Sequence, residues 1–298
     1  MKGTVIKTVG NLYTVETENQ IFKCNYRGKN KLNNRFSNPI VSGDIVEFII
    51  SDKETGIIEE VYDRKNYFLK KSLKDKKAHI IASNIDQTLI MASIKSPYTK
   101  LKFIDKCIAA SFYYEIEPII LFNKIDLLNN NEKRKLDELI SIYNKLNIET
   151  HTISIKENTN LKEISKILEN RSTLLIGNSG IGKSSLINYL SNKSNQKTDI
   201  LSLKTGRGKQ TTTFSEIFKL KNNGTIIDSP GFKDFYFYDI EKNDLKFLYP
   251  EFKIENKKCR FNNCNHVDEP NCVVKENLGK SINIRRYNNY ISILSELI

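Results

Sequence analysis

Polar and apolar positions alternate along the first part of the chain. Gly3–Val9, Leu12–Glu16, Gln20–Cys24, Ile45–Ile50 and Gly56–Tyr62 read as short β-rich strands, separated by turn signals at Gly10-Asn11, Arg27-Gly28 and Ser42-Gly43-Asp44. Five such strands within residues 1–68 predict a small β-barrel of the OB-fold type, with an SH3-like barrel as the alternative. Lys70, Lys71, Lys74, Lys76 and Lys77, broken by Asp75, then read as a basic connector. From about residue 83 the pattern changes. Gln87–Ala92, Pro118–Phe122, Ser172–Ile176 and Thr225–Asp228 are apolar strand-like runs, with another around Thr150–Ile153. Between them Leu101–Ile116, Glu132–Leu146 and Lys183–Leu190 carry helical spacing. Alternating strands and helices predict an α/β domain with a mostly parallel sheet, spanning 69–238. Residues 239–298 hold a Cys/His cluster and an amphipathic stretch, Ser281–Leu297, that predicts a final helix.

Composition adds a partner class. At 298 residues and 39% hydrophobic, the chain can fill the cores of two or three domains. Lys+Arg number 47 against 35 Asp+Glu, and the net charge of +12 favours a polyanion, nucleic acid ahead of an anionic membrane. A Lys-, Asn- and Ile-rich genomic composition is the competing source of that charge. No apolar run approaches the roughly 18 residues of a membrane span. Met1–Lys7 alternates like a strand and lacks the apolar stretch of a signal peptide. A cytoplasmic chain is expected. In a reducing compartment, three cysteines crowded near one end suggest a metal rather than disulfides.

The chemistry-bearing motifs are specific. Gly177-Asn178-Ser179-Gly180-Ile181-Gly182-Lys183-Ser184, followed by Ser185, sits between a strand and a helix and fits the phosphate-binding P-loop. Glycines let the backbone wrap a phosphate, Lys183 reaches the β- and γ-phosphates, and the Ser184 hydroxyl suits Mg²⁺. Asp228-Ser229-Pro230-Gly231 lies 51 residues after Gly177 at the end of a strand, where a nucleotidase puts its second Mg²⁺-side carboxylate; the Gly231 N–H can sense a γ-phosphate. Asn123-Lys124-Ile125-Asp126 follows another strand. The Asp126 carboxylate can accept from guanine N1–H and N2–H and would repel adenine; Asn123 suits the Hoogsteen edge, and Lys124 can pack over the base. Ser154-Ile155 is a candidate loop offering a backbone N–H to guanine O6.

The order of these motifs is informative. The base-reading tetrapeptide precedes the P-loop by 54 residues, the reverse of the usual GTPase order. The chain therefore reads as a circularly permuted GTPase, built by joining neighbouring termini and cutting elsewhere. Between the P-loop and Asp228 lies Thr205–Thr213, where Thr211 or Thr212 can complete a Mg²⁺ shell and Arg207 and Lys209 add charge. Ras-like enzymes orient water with a Gln directly after the DxxG glycine; here that position is Phe232, so Gln210 or a partner's residue must serve. Finally, Cys259, Cys264, His266 and Cys272 supply three sulfurs and one imidazole within 14 residues, a set that suits one tetrahedral Zn²⁺ in a closed structural site.

Taken together, these residues resemble the RsgA (YjeQ) family of circularly permuted GTPases. The most specific pieces are Gly177–Ser185 continuing into Leu186-Ile187-Asn188, Asp228–Phe232, and Cys259-Arg260-Phe261 through Glu269-Pro270 and Cys272; Asn84-Ile85-Asp86 and Arg285-Arg286-Tyr287 also match. The resemblance implies an OB-fold RNA-binding domain over 1–68, a GTPase domain over 69–238 and a zinc-binding helical domain over 239–298. It also implies Mg²⁺-dependent hydrolysis of GTP to GDP in late maturation of the small (30S) ribosomal subunit, stimulated by that subunit, contacts to its 16S rRNA, and a monomer without a membrane partner. The family usually carries a catalytic His where this chain has Gln210, and Gln can orient water but cannot titrate. A signalling GTPase with a protein or lipid effector and an RNA-binding scaffold with structural GTP are the competing classes.

Overall fold

Apolar alternation in the N-terminal region closes a five-stranded barrel from β1 (Lys2–Val9), β2 (Leu12–Glu16), β3 (Ile21–Tyr26), β4 (Ile45–Asp52) and β5 (Thr55–Val61). The computed structural model describes residues 1–27, 36, 38–71, 77–191, 215–229 and 236–297. The strand order is β1-β2-β3-β5-β4 with β4 returning to β1, and only the β3–β5 pair is parallel. This is OB-type rather than SH3-like connectivity. Val5, Tyr13, Val15, Phe22, Val46, Phe48 and Ile58 fill the barrel, alternate residues of each strand pointing inward.

The lysine-rich stretch is not simply a connector. Lys70 ends β6 (Tyr67–Lys70), which pairs antiparallel with β7 (His79–Ser83). Lys74 and Lys76 lie outside the described residues. The turn after β7 joins barrel to sheet: Asn66 and Ile85 exchange hydrogen bonds at 2.8 Å, the Asn84 amide donates to Gly43 O at 2.8 Å, and Asp86 accepts from Ser172 N at 2.8 Å.

A parallel sheet follows, formed by β8 (Gln87–Ala92), β9 (Glu117–Phe122), β10 (Glu149–Thr152), β11 (Ser172–Gly177) and β13 (Thr225–Asp228), with β12 (Glu216–Lys219) antiparallel to β13. The order is β10-β9-β8-β11-β13-β12, so the chain builds outward from β8 on one side and then returns to its other edge. Both faces are covered, which explains the uninterrupted apolar runs. Ile90, Ile120, Phe122, Leu174 and Ile176 pack on the face carrying α1 (Leu101–Tyr113) and α2 (Asn130–Asn144). Leu89, Met91, Ile119, Leu121 and Leu175 pack on the face carrying α3 (Leu161–Ile167) and α4 (Lys183–Leu190). The capping box of Asn129 and Glu132 starts α2 two residues earlier than the helical spacing suggests.

β12 also pairs with β1 through Lys7 and Glu216, so one eleven-stranded sheet runs through the nucleotide domain into the barrel. Ion pairs Lys7–Glu216 (3.0 Å) and Lys219–Glu16 (2.8 Å) flank the seam.

The tail contains α5 (Lys242–Leu245), α6 (Phe252–Asn256), α7 (Val273–Glu276) and α8 (Ile284–Leu294). The last is shorter than the amphipathic stretch Ser281–Leu297 because the Asn283 side chain caps it, accepting from Arg285 N and Arg286 N. Tyr249, Phe252, Tyr290 and Ile293 form its core. Against α1, the buried Arg286 guanidinium joins Asp105 and Glu251, Tyr143 Oη donates to Asp105 at 3.1 Å, and the Asn289 amide donates to it at 2.6 Å. No helix among the described residues is long and apolar enough to cross a membrane.

Candidate nucleotide and metal sites

The strands β9, β10, β11 and β13 are parallel and all end on the same edge of the sheet. The loops after the first three and the last residue of the fourth gather there, as expected for a ligand crevice in an open α/β sheet. β8 and β11 lie side by side, yet their connections run in opposite directions, which opens the crevice between them.

The P-loop leaves β11 at Gly177. A Cβ there would stand 2.8 Å from Met91 O on the neighbouring strand. Gly182 has φ +111°, and a Cβ would lie 2.4 Å from the Asn123 amide nitrogen. No side chain caps α4, so the N–H groups of its first turn are open to an anion. The Lys183 ammonium donates to Gly177 O at 2.7 Å and Asn178 O at 3.3 Å, inside the loop. Burial lowers its pKa, opposed by Asp228. Ser184 and Ser185 are exposed.

Asp228 ends β13, in register with Leu175 of β11. Burial pushes its carboxyl up to about 6; Lys183 pulls it down and Glu216 adds to the rise. Its Oδ1 is buried without a hydrogen-bond partner. An unsatisfied carboxylate oxygen beside the P-loop lysine fits a divalent cation. The Ser229 hydroxyl donates to Leu175 O at 2.6 Å and fixes the strand end.

Asn123 is buried and ties the base-reading loop to the P-loop: its amide donates to Ile181 O at 2.8 Å, while its Oδ1 accepts from Lys124 N at 2.8 Å and Ile155 N at 3.4 Å. Lys124, with φ 68°, sends its ammonium to Gly180 O (2.9 Å) and Ser96 O (2.6 Å). Asp126 is exposed, and its carboxylate accepts from the Ser154 hydroxyl at 2.6 Å. Sequence reasoning assigned the Ser154 loop a backbone donor and missed this hydroxyl, which also accepts from Glu157 N at 3.1 Å. The signal was available: a Ser beginning a loop after the strand next to β9 can reach the β9 loop. Ser96 carries no comparable sequence signal. Gln210, Thr211, Thr212 and Gly231 lie outside the described residues, as do Arg207, Lys209 and Phe232.

The second cluster is in the tail. The ligand atoms of Cys259, Cys264, His266 and Cys272 lie within 4.8 Å of one another. His266 Nδ1 faces Cys264 Sγ and Cys272 Sγ at 3.3 Å and Cys259 Sγ at 3.8 Å. Zn–S of about 2.3 Å and Zn–N of about 2.0 Å give tetrahedral N···S edges of roughly 3.5 Å, so the donor set fits. Supporting groups surround it: Glu269 accepts from Asn265 N (2.7 Å) and Val267 N (2.8 Å), bracketing His266, and Tyr287 Oη donates to His266 O at 2.7 Å. These give the Glu269 and Tyr287 signatures a structural meaning. Cys24 and Cys107 are buried core residues far from this set in sequence.

Comparison with known proteins agrees with this arrangement. A family model described as RsgA GTPase matches residues 61–238, and one described as RsgA N-terminal domain matches residues 2–58. The Small ribosomal subunit biogenesis GTPase RsgA 2 of Bacteroides thetaiotaomicron is 38% identical over 99% of this chain and 97% of its own. The Small ribosomal subunit biogenesis GTPase RsgA of Flavobacterium johnsoniae is 38% identical over 99% of this chain and 93% of its own. Among solved structures, YjeQ from Thermotoga maritima superposes with TM-score 0.77 at 33% identity, covering 99% of this chain and 98% of that one. YloQ, described as a circularly permuted GTPase, shares the fold with TM-score 0.74 at 24% identity, covering 99% of this chain and 94% of that one.

Proposed function

Since the chain belongs to the RsgA GTPase family, we propose that it hydrolyses GTP on the small ribosomal subunit during late maturation, acting as a cytoplasmic monomer that contacts 16S rRNA. The observation that carries this is the meeting, at one sheet edge, of a P-loop, a buried carboxylate and a guanine-reading loop tied to the P-loop through Asn123. Asp126, oriented by Ser154, reads guanine N1–H and N2–H. Asn123 and Lys124 frame the base, and an N–H of the Ser154-Ile155 loop meets O6. Gly177–Ser185 cradle the phosphates, with Lys183 on the β- and γ-oxygens. Ser184 and Asp228, with Thr211 or Thr212, are the residues to hold Mg²⁺, which when bound neutralises phosphate charge. Gln210 orients water, or the subunit supplies that group, and Gly231 senses the γ-phosphate. Cys259, Cys264, His266 and Cys272 hold one structural Zn²⁺. The barrel over 1–68 and the tail over 239–298 provide the flanking RNA contacts.

Asp126→Asn is expected to weaken GTP binding by about 30- to 1,000-fold, because one charged hydrogen bond is lost and an amide donor then faces a guanine donor. Xanthosine nucleotides present an acceptor there and should gain. Unchanged GTP affinity in a nucleotide titration would sink the base-reading assignment.

Asp228 gives a pH dependence. Its native pKa of about 6 lies above the ordinary 3.8, so the metal-free native state keeps a proton that the unfolded chain has lost. Stability of the nucleotide-free, metal-free protein should therefore fall as pH rises through that window, by up to about 3 kcal/mol. Conversely, Mg²⁺-dependent GTP binding should weaken below about pH 6, since protons compete for the same oxygen. A flat Mg²⁺ requirement from about pH 5 to about pH 7.5 would remove Asp228 from the metal site.

The function itself is tested by GTP hydrolysis with and without small subunits, and by sedimentation with a non-hydrolysable GTP analogue or GDP across a salt series. Stimulated hydrolysis, weaker association with GDP and a negative salt slope are expected. Equal association in both nucleotide states, or no stimulation, would overturn the ribosomal role and leave the GTPase assignment standing.

A further inference from the structure

We propose that the exposed turn Arg260–Asn263, with Phe261 on it and Phe247 beside it, is a stacking platform for unpaired RNA bases. This rests on the RNA-bearing partner proposed above and names the part of the chain that would meet single-stranded segments. Cys259 and Cys264 are buried, whereas residues 260–263 between them are all exposed. Cys264 N donates to Phe261 O at 3.1 Å, which pins the backbone while the ring stays 39% exposed. The turn is thus closed at both ends by ligand residues of the metal cluster, and an aromatic side chain on it loses little further freedom on binding.

Lys246 lies beneath. It is 2% exposed, and its ammonium donates to Asn262 O at 3.2 Å and Cys264 O at 3.0 Å. Both acceptors are neutral carbonyls, so the turn sits over a cation that they do not neutralise. The same ammonium lies 5.1 Å from the ring centroid of Phe247, which is 52% exposed, so the two rings flank one anchor. The Arg260 guanidinium lies 5.4 Å from the Phe261 centroid, and Lys257 and Lys258, which directly precede Cys259 in the chain, are exposed, Lys258 paired with Glu255. Each ring therefore has a cation near one face. A base stacked on the exposed part of either ring would leave its phosphates at the surface, where Arg260 is exposed and the buried Lys246 adds positive potential from below. Planar rings joined by phosphates satisfy both features at once, whereas an acidic peptide satisfies only the charge.

The test uses the full chain, with zinc content and GTP binding measured on every variant to show that it is folded. The probes are an unstructured RNA of about 12 nucleotides, the same strand annealed to its complement, and protein-free 16S rRNA. Phe261→Ala and Phe247→Ala should each weaken binding to the unpaired strand by roughly 5- to 150-fold with an unchanged salt slope, since stacking releases no counterions. Phe261→Trp should retain binding. Arg260→Gln should instead flatten the slope by about 0.7. No preference for the unpaired strand, or full binding by both alanine variants, overturns the platform. So does a loss confined to intact subunits with protein-free rRNA bound normally, which would identify a protein partner. Failure of the wild-type chain to associate with subunits would count against the ribosomal function, and the short-RNA arm would still decide the platform.

Discussion

Chelating the Zn²⁺ proposed for the tail, or replacing Cys264 with Ala, is expected to unfold much of residues 239–297 and leave GTP binding largely intact. The tail helices α5, α6 and α7 have four, five and four residues. Isolated helices that short do not form in water. What holds them is a core to which Cys259, Cys264 and Cys272 themselves belong, packed with Tyr249, Phe252 and Tyr290. Metal binding to such a site is folding free energy, on the order of 10–16 kcal/mol for small zinc modules. Burial, with the neighbouring thiols of Cys272 and Cys259 adding to it, pushes the Cys264 thiol up to about 12, and a bound cation is what would favour its thiolate. Purified protein should carry one zinc per chain. After chelation, protease should cut within the tail, and three thiols should become reactive while Cys24 and Cys107 stay protected. Negligible zinc in the purified protein, or an unchanged digestion pattern after chelation, would refute the site.

Arg286→Met is expected to loosen the tail from the nucleotide domain, at a cost of about 3–5 kcal/mol. Arg286 is 3% exposed, and its partners Asp105 and Glu251 are 0% and 3% exposed. Burial raises the Asp105 pKa and Arg286 is the chief group opposing it, so removing the arginine strands one carboxyl from each side of the interface. The guanidinium also lies over the rings of Tyr143 and Tyr249, at 5.4 and 4.9 Å from their centroids. Lys102 and Lys106 on Glu296, Lys102 on Ser292, Asn289 on Asp105 and Tyr113 on Asp239 O would be the polar contacts left between α1 and the tail. Hydrogen exchange should rise in α1 and α8, and Asp105→Asn combined with Arg286→Met should recover part of the loss. A destabilisation under about 1 kcal/mol would mean the interface is held by its apolar contacts instead.

Local chemistry decided what could be read from the sequence. β8, α4 and β13 have the bounds their patterns suggest: β8 is an apolar run buried throughout, α4 begins where the P-loop turn at Gly182 ends, and β13 is a short apolar run that ends on Asp228. The barrel strands were legible for a similar reason: one face of each is core. The β6–β7 hairpin was not, since the lysines near it indicate solvent while the buried side chains are Phe68, Leu69, Ile80, Ile81 and Ala82. β12 has four residues and depends on partners as distant as Lys7, which no local window can detect. The short tail helices pack around the Cys/His cluster and carry too few residues to show a hydrophobic period. At the nucleotide edge, motif spacing indicated which residues would gather. The Ser154–Asp126 hydrogen bond follows from two loops leaving neighbouring strands and was open to inference, whereas the Lys124–Ser96 clasp depends on a tertiary neighbour with no sequence signal and could only be read from coordinates.

The strand order has a consequence during synthesis. β8, β9 and β10 leave the ribosome as a three-stranded ribbon whose β8 edge has no neighbour until β11 is made, and the next place in the sheet waits for β13. From Ala92 to Asp228 the chain must grow by 136 residues, which takes roughly 7–27 s at about 5–20 residues per second. Through that interval an apolar edge stays open to stray pairing, the hazard that unpaired strands carry. The barrel has no such delay, since its own strands close the β1 edge through β4 before β12 arrives. The nascent chain therefore presents a finished barrel tethered to a half-built sheet, and pauses or chaperone contacts would matter most between β10 and β13.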